Sequence, residues 1–234
     1  MSLARSPLHH WHAAQGARFA DRDGWQIVTA YSDPQREVEA ARHGLGLADI
    51  SAFAKISLRG LGVKHLVASL SPDGAAQSPG GVISVDSGPA LSCRLTKDHL
   101  LLLAPTPTPT VLGQRLATLA KDQPVILTDV TSAYAGFVVV GPRWEELLRR
   151  LTSLDLRPNT FPMNSCTETA LAGVEAILVR SSESSLPCLR IYVAWDLGEY
   201  VWERILEAGR EQGLLPLGLE ALGLLGVLPG QPKA

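Results

Sequence analysis

Three closely spaced histidines, His9, His10 and His12, are the first residues whose type and spacing could support chemistry. Imidazole is a common zinc ligand, and zinc sites draw three or four ligands from His, Cys and carboxylate side chains. No neighbouring cysteine or carboxylate completes such a set. The sequence therefore predicts no metal site.

Two other familiar patterns of functional sites are incomplete in this chain. Gly44-x-Gly46 and Gly60-x-Gly62 do not form the full glycine pattern of a dinucleotide-binding loop, so we interpret them as turn residues. The serines do not occur in the nucleophile-elbow pattern of α/β-hydrolases. Neither pattern therefore identifies an active site.

The segment from Gly24 to Gly60 has the clearest secondary-structure pattern. Asp33 and Pro34 predict a helix start, with the aspartate as cap and the proline at the first helical position, and Gly44 predicts its end. Apolar residues at 54, 56 and 58 then alternate with polar residues up to Arg59. This period predicts a strand with one buried face.

Similar patterns continue along the rest of the chain. We expect a late helix that Asp196 caps and that ends near Gly213. The mixture of helices and strands predicts an α+β architecture. The other predicted helices span 61–71, 111–121 and 143–151, and the predicted strands span 91–95, 100–103, 137–140, 169–172, 174–179 and 189–193, with one more from 125.

A short unit occurs twice in the chain. Asp49-Ile50-Ser51 precedes a strand, a glycine and a helix, and Asp129-Val130-Thr131 precedes a similar series. The repetition predicts two similar lobes in a single module over 1–234. We assign 1–52 and 125–234 to one lobe and 53–124 to the other, so that the lobes are interleaved.

Composition limits the classes of function. A net charge of -2 over 234 residues provides no basic surface for nucleic acid. The most apolar segment, 213–230, is interrupted by Pro, Gly and Glu, so we expect no membrane span. Three scattered cysteines favour a reducing compartment, and the polar N-terminus lacks an export signal. We therefore expect a cytoplasmic protein.

The order and spacing of residues in the first 60 positions resemble the start of the glycine-cleavage T-protein (aminomethyltransferase) family. The matching positions are Pro7-Leu8, His12, Gly16-Ala17-Arg18, Asp21, Gly24-Trp25, Tyr31, Asp49-Ile50-Ser51 and 55–60. The resemblance implies a folate-binding fold of two interleaved lobes, without the C-terminal barrel domain of T-proteins. It also implies tetrahydrofolate as cofactor, with Trp25 and Tyr31 either as stacking pocket walls or as core anchors.

The family's catalytic carboxylate follows a Gly-Gly pair, which here is Gly80-Gly81. Its two acidic positions fall on Ser84 and Val85, so Asp86 is the nearest carboxylate. If the protein is active, Asp86 is the predicted acid that steers proton transfer and stabilises a cationic iminium. The alternative is a solvated turn residue.

A second family motif contains a glutamate that holds the pterin ring. Arg180 matches its arginine, but the glutamate position is Leu186, and Glu183 is displaced by three residues. We predict Arg180 and Glu183 as polar groups of the pocket, with an exposed loop glutamate as the alternative for Glu183. Near the C-terminus, four polar family positions have become Leu222, Gly223, Gly226 and Leu228.

These departures leave two functions open. One is a tetrahydrofolate-dependent aminomethyltransferase, or one-carbon transfer protein, with a degenerate active site. The other is a non-catalytic subunit or assembly module, because 154–171 and 96–105 also resemble the sarcosine oxidase gamma subunit. Whether the protein is an enzyme stays open. We expect the apolar segment 213–230 to pack in the core or against a partner, in a homo-oligomer or a larger complex.

Overall fold

The structure is a computed structural model, and it describes residues 3–70, 78–85, 90–105, 110–181 and 186–228. The alternating threonine and proline residues at 106–109 lie outside these ranges. Within them the chain forms the helices α1 (His9–Ala14), α2 (Pro34–His43), α3 (Val63–Leu70), α4 (Thr110–Ala120), α5 (Trp144–Leu148), α6 (Gly198–Gly209) and α7 (Leu219–Leu224).

The strands occupy most of the remaining described chain. In order they are β1 (Ala4–Arg5), β2 (Arg18–Arg22), β3 (Trp25–Ala30), β4 (Leu45–Asp49), β5 (Ala54–Arg59), β6 (Val82–Val85), β7 (Ala90–Thr96), β8 (His99–Ala104), β9 (Ile126–Asp129), β10 (Tyr134–Val140), β11 (Ser165–Leu171), β12 (Val174–Arg180), β13 (Cys188–Ala194) and β14 (Leu214–Leu217).

These strands form two large sheets and one small one. The first sheet has the order β11-β12-β13-β10-β4-β14, and only its β4–β14 pair is parallel. The second sheet is antiparallel, with the order β6-β7-β8-β5-β9. The small sheet, β1-β3-β2, contains the N-terminal segment.

The two large sheets pack face to face, and each has helices on its outer side. The central core joins residues of the first sheet, such as Val138 and Val179, to residues of the second, such as Leu91 and Leu101. A second cluster packs α1, α5 and α6 on the first sheet, and a third packs α3 and α4 on the second. The predicted mixture of helices and strands is therefore confirmed.

The division into lobes at residue 125 stays a prediction. Strand pairing adds one detail, because β9 lies beside β5 and pairs Ile56 with Asp129. Ile126–Asp129 therefore belongs to the same sheet as strands from 53–124, although the predicted boundary placed it with the other lobe.

The helix after Asp33 forms as predicted. The Asp33 carboxylate accepts hydrogen bonds from the backbone N–H groups of Gln35 and Arg36, Pro34 occupies the first turn, and Gly44 ends the helix. The predicted capping role of Asp196 is wrong. Asp196 lies inside a short 3₁₀ turn, and α6 begins two residues later without a side-chain cap.

The prediction of a half-buried strand at 54–59 is also wrong. Lys55 is fully buried and Ser57 is 7% exposed, so β5 is covered on both faces. The reason is its position inside the second sheet, between β8 and β9 and between the central core and the outer helices. Its polar residues pair internally, and Ser57 Oγ lies 3.1 Å from His99 Nε2.

Candidate functional site

Two of the five predicted site residues, Asp86 and Glu183, lie outside the described part of the chain, and their roles stay predictions. The glycine turn before Asp86 is described. Gly80 has a φ of 86°, a left-handed conformation that favours glycine, and Gly81 pairs with Ser165 at the start of β11. This turn directs the chain into β6.

Arg180 ends β12, and its guanidinium binds groups within the protein. Nη1 donates to the carbonyl oxygens of Phe161 at 2.9 Å and Leu156 at 3.3 Å, and Nη2 lies 3.3 Å from Glu145 Oε1. The guanidinium also lies 5.2 Å from the centre of the Trp144 ring. A ligand would have to share or displace these contacts, so the geometry favours a structural role for Arg180.

Trp25 and Tyr31 lie at the two ends of the β3 region and contact different neighbours. The Trp25 ring packs at 6.1 Å from the Trp195 ring and against the central core. The Tyr31 hydroxyl lies 2.6 Å from His12 Nδ1. These contacts favour the core-anchor alternative for both aromatic residues.

His12 links Tyr31 to Asp49 at the end of β4. His12 Nε2 lies 2.9 Å from Asp49 Oδ2, and Ser6 Oγ donates to the same oxygen. The Ser51 backbone N–H donates to the other carboxylate oxygen at 2.8 Å. His12 is fully buried. The cluster therefore fastens the N-terminal helix to the first sheet.

The electrostatics of this cluster have identifiable causes. Burial alone would raise the pKa of Asp49, but the hydrogen bonds from His12, Ser51 and Ser6 outweigh burial and hold that pKa below its ordinary value. Burial, and then the nearby carboxylates of Asp49 and Glu37, raise the pKa of Tyr31. Tyr31 therefore stays a neutral phenol that can donate to His12.

A cavity of about 10 Å³ adjoins this cluster and is lined in part by His9, His12, Gln26 and Asp49. That volume is close to the minimum that one water molecule needs. His9 Nδ1 and Gln26 Oε1 are buried without a hydrogen-bond partner among the described residues. The cavity is thus suited to a single water and is too small for a folate-sized ligand.

Glu37 is a buried carboxylate that the sequence did not single out. Its Oε1 accepts hydrogen bonds from the backbone N–H groups of Tyr31 and Ser32, each at 2.7 Å. Its Oε2 accepts one from Gly218 at 2.8 Å. The side chain therefore joins the end of β3 to the start of α7.

Lys55 is a second buried charge that sequence reasoning assigned to a solvent-facing position. Its Nζ donates to the carbonyl oxygens of Ser51 at 2.8 Å, Phe53 at 2.9 Å and Thr131 at 3.3 Å. Burial lowers the pKa of Lys55 to about 7, although Asp49 and Asp129 act in the opposite direction. The three acceptors match the three N–H donors of an ammonium group.

Arg190 is the third buried polar residue that was missed. It is 4% exposed, its Nη1 donates to Ser181 Oγ at 2.6 Å, and its Nη2 donates to the Val227 carbonyl oxygen at 2.8 Å. The guanidinium therefore connects β13, the end of β12 and the C-terminal segment. The sequence did contain a signal for this buried residue, namely a charged side chain between Leu189 and Ile191 in an otherwise apolar strand.

The described part of the apolar segment, 213–228, packs largely into the protein's own core, which was one of the two predicted alternatives. Leu217, Leu219, Leu222 and Val227 belong to the central cluster. Two described leucines remain exposed, Leu215 at 50% and Leu224 at 47%. Contact with a partner through these leucines stays a prediction.

Arg180 and the substituted C-terminal positions do not fit a tetrahydrofolate-binding site. Arg180 is bound within the protein, and the substituted positions at Leu222 and Gly226 carry no polar side chain. An arginine bonded to a folate carboxylate contributes about 1.5–3 kcal/mol, and several such losses together would remove micromolar affinity.

Residues 8–227 match the family model of the GCVT N-terminal domain. This chain belongs to that family. It is 29% identical over 94% of its length to the sarcosine oxidase subunit alpha of Corynebacterium sp. (strain P-1), of which it spans 25%. It is 30% identical, again over 94% of its length, to the aminomethyltransferase of Geobacillus kaustophilus (strain HTA426), of which it spans 62%.

Solved structures of two relatives have the same fold as this GCVT-type chain. Glycine cleavage system aminomethyltransferase T from Bartonella henselae matches 97% of this chain and 62% of its own, with a TM-score of 0.79 and 18% identity. A chain of the heterotetrameric sarcosine oxidase from Corynebacterium sp. U-96, in complex with pyrrole 2-carboxylate, matches 90% of this chain and 96% of its own. The TM-score of that match is 0.63, at 22% identity.

Two further expectations concern metals and membranes. Among the described residues, no group of three or more His, Cys, Asp or Glu side chains is placed to hold a metal ion. In the same part of the chain, no helix combines the length and apolarity that crossing a membrane requires.

Proposed function

We infer that this chain is a non-catalytic GCVT-type module that works as a subunit of a larger oxidoreductase complex. The observation that carries this proposal is that the Arg180 guanidinium donates hydrogen bonds to the carbonyl oxygens of Leu156 and Phe161. Arg180, which was predicted as a polar group of the pocket, instead fastens the 156–161 loop to the first sheet. Substitution of the polar C-terminal positions by leucine and glycine supports the same conclusion.

The size of one solved relative gives independent support. This fold accounts for 96% of the matching chain in the heterotetrameric sarcosine oxidase, whereas it accounts for 62% of the aminomethyltransferase T chain. In that heteromeric enzyme, a chain made almost entirely of this fold is one component of the assembly. The exposed Leu215 and Leu224 are the proposed contact residues.

Isolation of the complex from the native host tests this proposal. An affinity-tagged chain should elute in a stoichiometric complex with larger oxidoreductase chains, identified by mass spectrometry. Leu224→Glu should release the partner, whereas Leu61→Glu, at a 77% exposed leucine of a different surface, should not. Recovery of free monomer alone, or equal release by both variants, would reject the proposal.

Tetrahydrofolate-dependent aminomethyl transfer is the second candidate. It is favoured by the identity of 30% to an aminomethyltransferase over 94% of this chain, and by the left-handed Gly80 that leads into the predicted catalytic segment. In this case Asp86 is the acid, and Trp25, Tyr31, Arg180 and Glu183 form the pocket. Turnover with tetrahydrofolate that Asp86→Asn abolishes would establish this candidate and exclude the first.

A further inference from the structure

Tyr31 and Tyr200 bond to acceptors of different kinds. The Tyr31 hydroxyl lies 2.6 Å from His12 Nδ1, whereas the Tyr200 hydroxyl donates to the backbone carbonyl oxygen of Ala172 at 2.9 Å. An imidazole can take up a proton near neutral pH, and a backbone carbonyl oxygen cannot. Tyr31 is therefore a tyrosine whose phenolic proton already contacts a base.

The contacts of His12 favour transfer of that proton. His12 Nε2 lies 2.9 Å from the Asp49 carboxylate, so in the neutral imidazole Nε2 carries the proton and Nδ1 accepts from Tyr31. Ser6 Oγ and the Ser51 backbone N–H also donate to this carboxylate, which stabilises its ionised form. Protonation of Nδ1 therefore forms an ion pair with Asp49 rather than an isolated buried charge.

A series of aromatic rings leads from the surface to Tyr31. Trp11 is partly exposed, and its ring centre lies 5.3 Å from that of Trp202, which is fully buried. The Trp202 ring lies 5.3 Å from the His12 ring, and the His12 ring lies 5.9 Å from the Tyr31 ring. Rings at these separations are in direct contact. An electron can therefore pass from Tyr31 to an oxidised Trp11 in short steps.

Trp202 supplies an independent observation on where such an oxidation ends. Its Nε1 is buried and has no hydrogen-bond partner among the described residues. Loss of one electron makes the N–H of an indole or the O–H of a phenol strongly acidic, and transfer of that proton to a base gives a more stable neutral radical. Trp202 Nε1 contacts no base in the described part of the chain, whereas Tyr31 contacts His12. The oxidation therefore passes over Trp202 and ends at Tyr31.

We propose that Tyr31 is a redox-active tyrosine on which one-electron oxidation of this protein is collected. A one-electron oxidant, such as a high-valent metal complex, takes an electron from Trp11, and Tyr31 replaces that electron through Trp202. The O–H bond of Tyr31 breaks and an N–H bond forms at His12 Nδ1. The products are a neutral tyrosyl radical, an imidazolium paired with Asp49, and the oxidant reduced by one electron. The site does not depend on the proposed subunit function.

Flash oxidation of the full chain tests the site. Tris(bipyridine)ruthenium(III), generated by a light pulse with a cobalt(III) quencher, is the oxidant. Electron paramagnetic resonance and transient absorption distinguish tyrosyl from tryptophanyl radicals. We expect a tyrosyl radical in the wild-type chain that Tyr31→Phe removes. The matched control, Tyr200→Phe, changes a 45% exposed tyrosine and should leave the radical unchanged.

Two further changes test the proton acceptor and the path. Asp49→Asn removes the anion beside His12 and should lower the amount of radical at least about tenfold, because the imidazolium loses a charge-assisted contact. Trp11→Phe should slow the appearance of the tyrosyl radical. Trp195→Phe is its control, since Trp195 packs against Trp25 outside the series, and it should leave the rate unchanged.

A circular dichroism melt establishes that every variant is folded. Absence of a tyrosyl radical in the wild-type chain, or an equal amount of it in Tyr31→Phe, would overturn the proposal. An unchanged amount in Asp49→Asn, or equal rates in Trp11→Phe and Trp195→Phe, would overturn it as well.

Discussion

Arg190 and Val227 are joined by a hydrogen bond of 2.8 Å from the guanidinium to the backbone carbonyl. The contact holds the C-terminal segment against the end of the first sheet. Val227 and Leu222 both belong to the central core, so the C-terminal segment is part of the packed interior of the protein. The buried Arg190 guanidinium therefore stabilises the position of the C-terminal segment.

Arg190→Met should therefore destabilise the protein. The substitution leaves Ser181 Oγ and the Val227 carbonyl oxygen without their donor in a buried place, at a cost of about 2–3 kcal/mol in the free energy of unfolding. Urea denaturation followed by circular dichroism measures the change. Arg204→Met, at an exposed arginine of α6, is the control and should change stability by less than about 0.5 kcal/mol. Equal effects of the two variants would contradict this role.

Asp49→Asn should cost about 1–3 kcal/mol near pH 7, because it weakens the contacts with His12 and Ser6. The pKa of Asp49 is lower in the folded state than its ordinary value of 3.8. Its stabilising contribution is thus present above about pH 4 and is lost as the pH falls through the folded-state value. Denaturation curves of both proteins from pH 7 to pH 2.5 should converge. A constant difference would be evidence against the assignment.

Lys55 gives a pH dependence in the opposite range. Burial lowers its pKa from 10.5 to about 7, so between these values the unfolded chain binds more protons than the folded chain. Stability should rise with pH across this window relative to Lys55→Met, in which the titrating group is absent. The difference in the free energy of unfolding between the two proteins, measured from pH 6 to pH 9, tests this. Parallel pH curves would show that the ammonium persists on its three carbonyl oxygens.

Gly218 and Gly113 form a matched pair of glycines. A Cβ at Gly218 would lie 2.0 Å from the Thr29 carbonyl oxygen, whereas one at Gly113 in α4 would meet nothing within 4 Å. Gly218→Ala should lower the free energy of unfolding by at least about 1–3 kcal/mol. Gly113→Ala should raise it by about 0.5–1 kcal/mol, since alanine favours a helix. Thermal denaturation distinguishes them, and a neutral Gly218→Ala would refute the close packing at α7.

Local sequence rules predicted many of the elements. Capping residues and alternation predict the helix after Asp33 and strands within β11, β12 and β13. The alternation at 54–59 predicts a strand with one exposed face, but both faces of β5 are covered. The strand can carry Lys55 and Ser57 in the interior because each side chain has a hydrogen-bond partner within the protein. That covering depends on distant strands and helices, which local periodicity does not report.

The candidate site was less predictable than the fold. Motif matching selected Arg180, but its partners Leu156 and Phe161 come from a loop whose path the sequence does not specify. Glu37 and Arg190 act through backbone groups far away in the chain, and a backbone carbonyl leaves no residue-type signal.

The central claim is that the ligand-binding side chains of this family are here either substituted or bonded within the protein. Calorimetric titration of the full chain with tetrahydrofolate tests this claim most directly. The aminomethyltransferase of Geobacillus kaustophilus, measured in parallel, serves as the positive control. We predict no saturable heat for this chain at ligand concentrations up to about 1 mM, which corresponds to a binding free energy weaker than about -4 kcal/mol. Saturable one-to-one binding in the micromolar range would contradict the account.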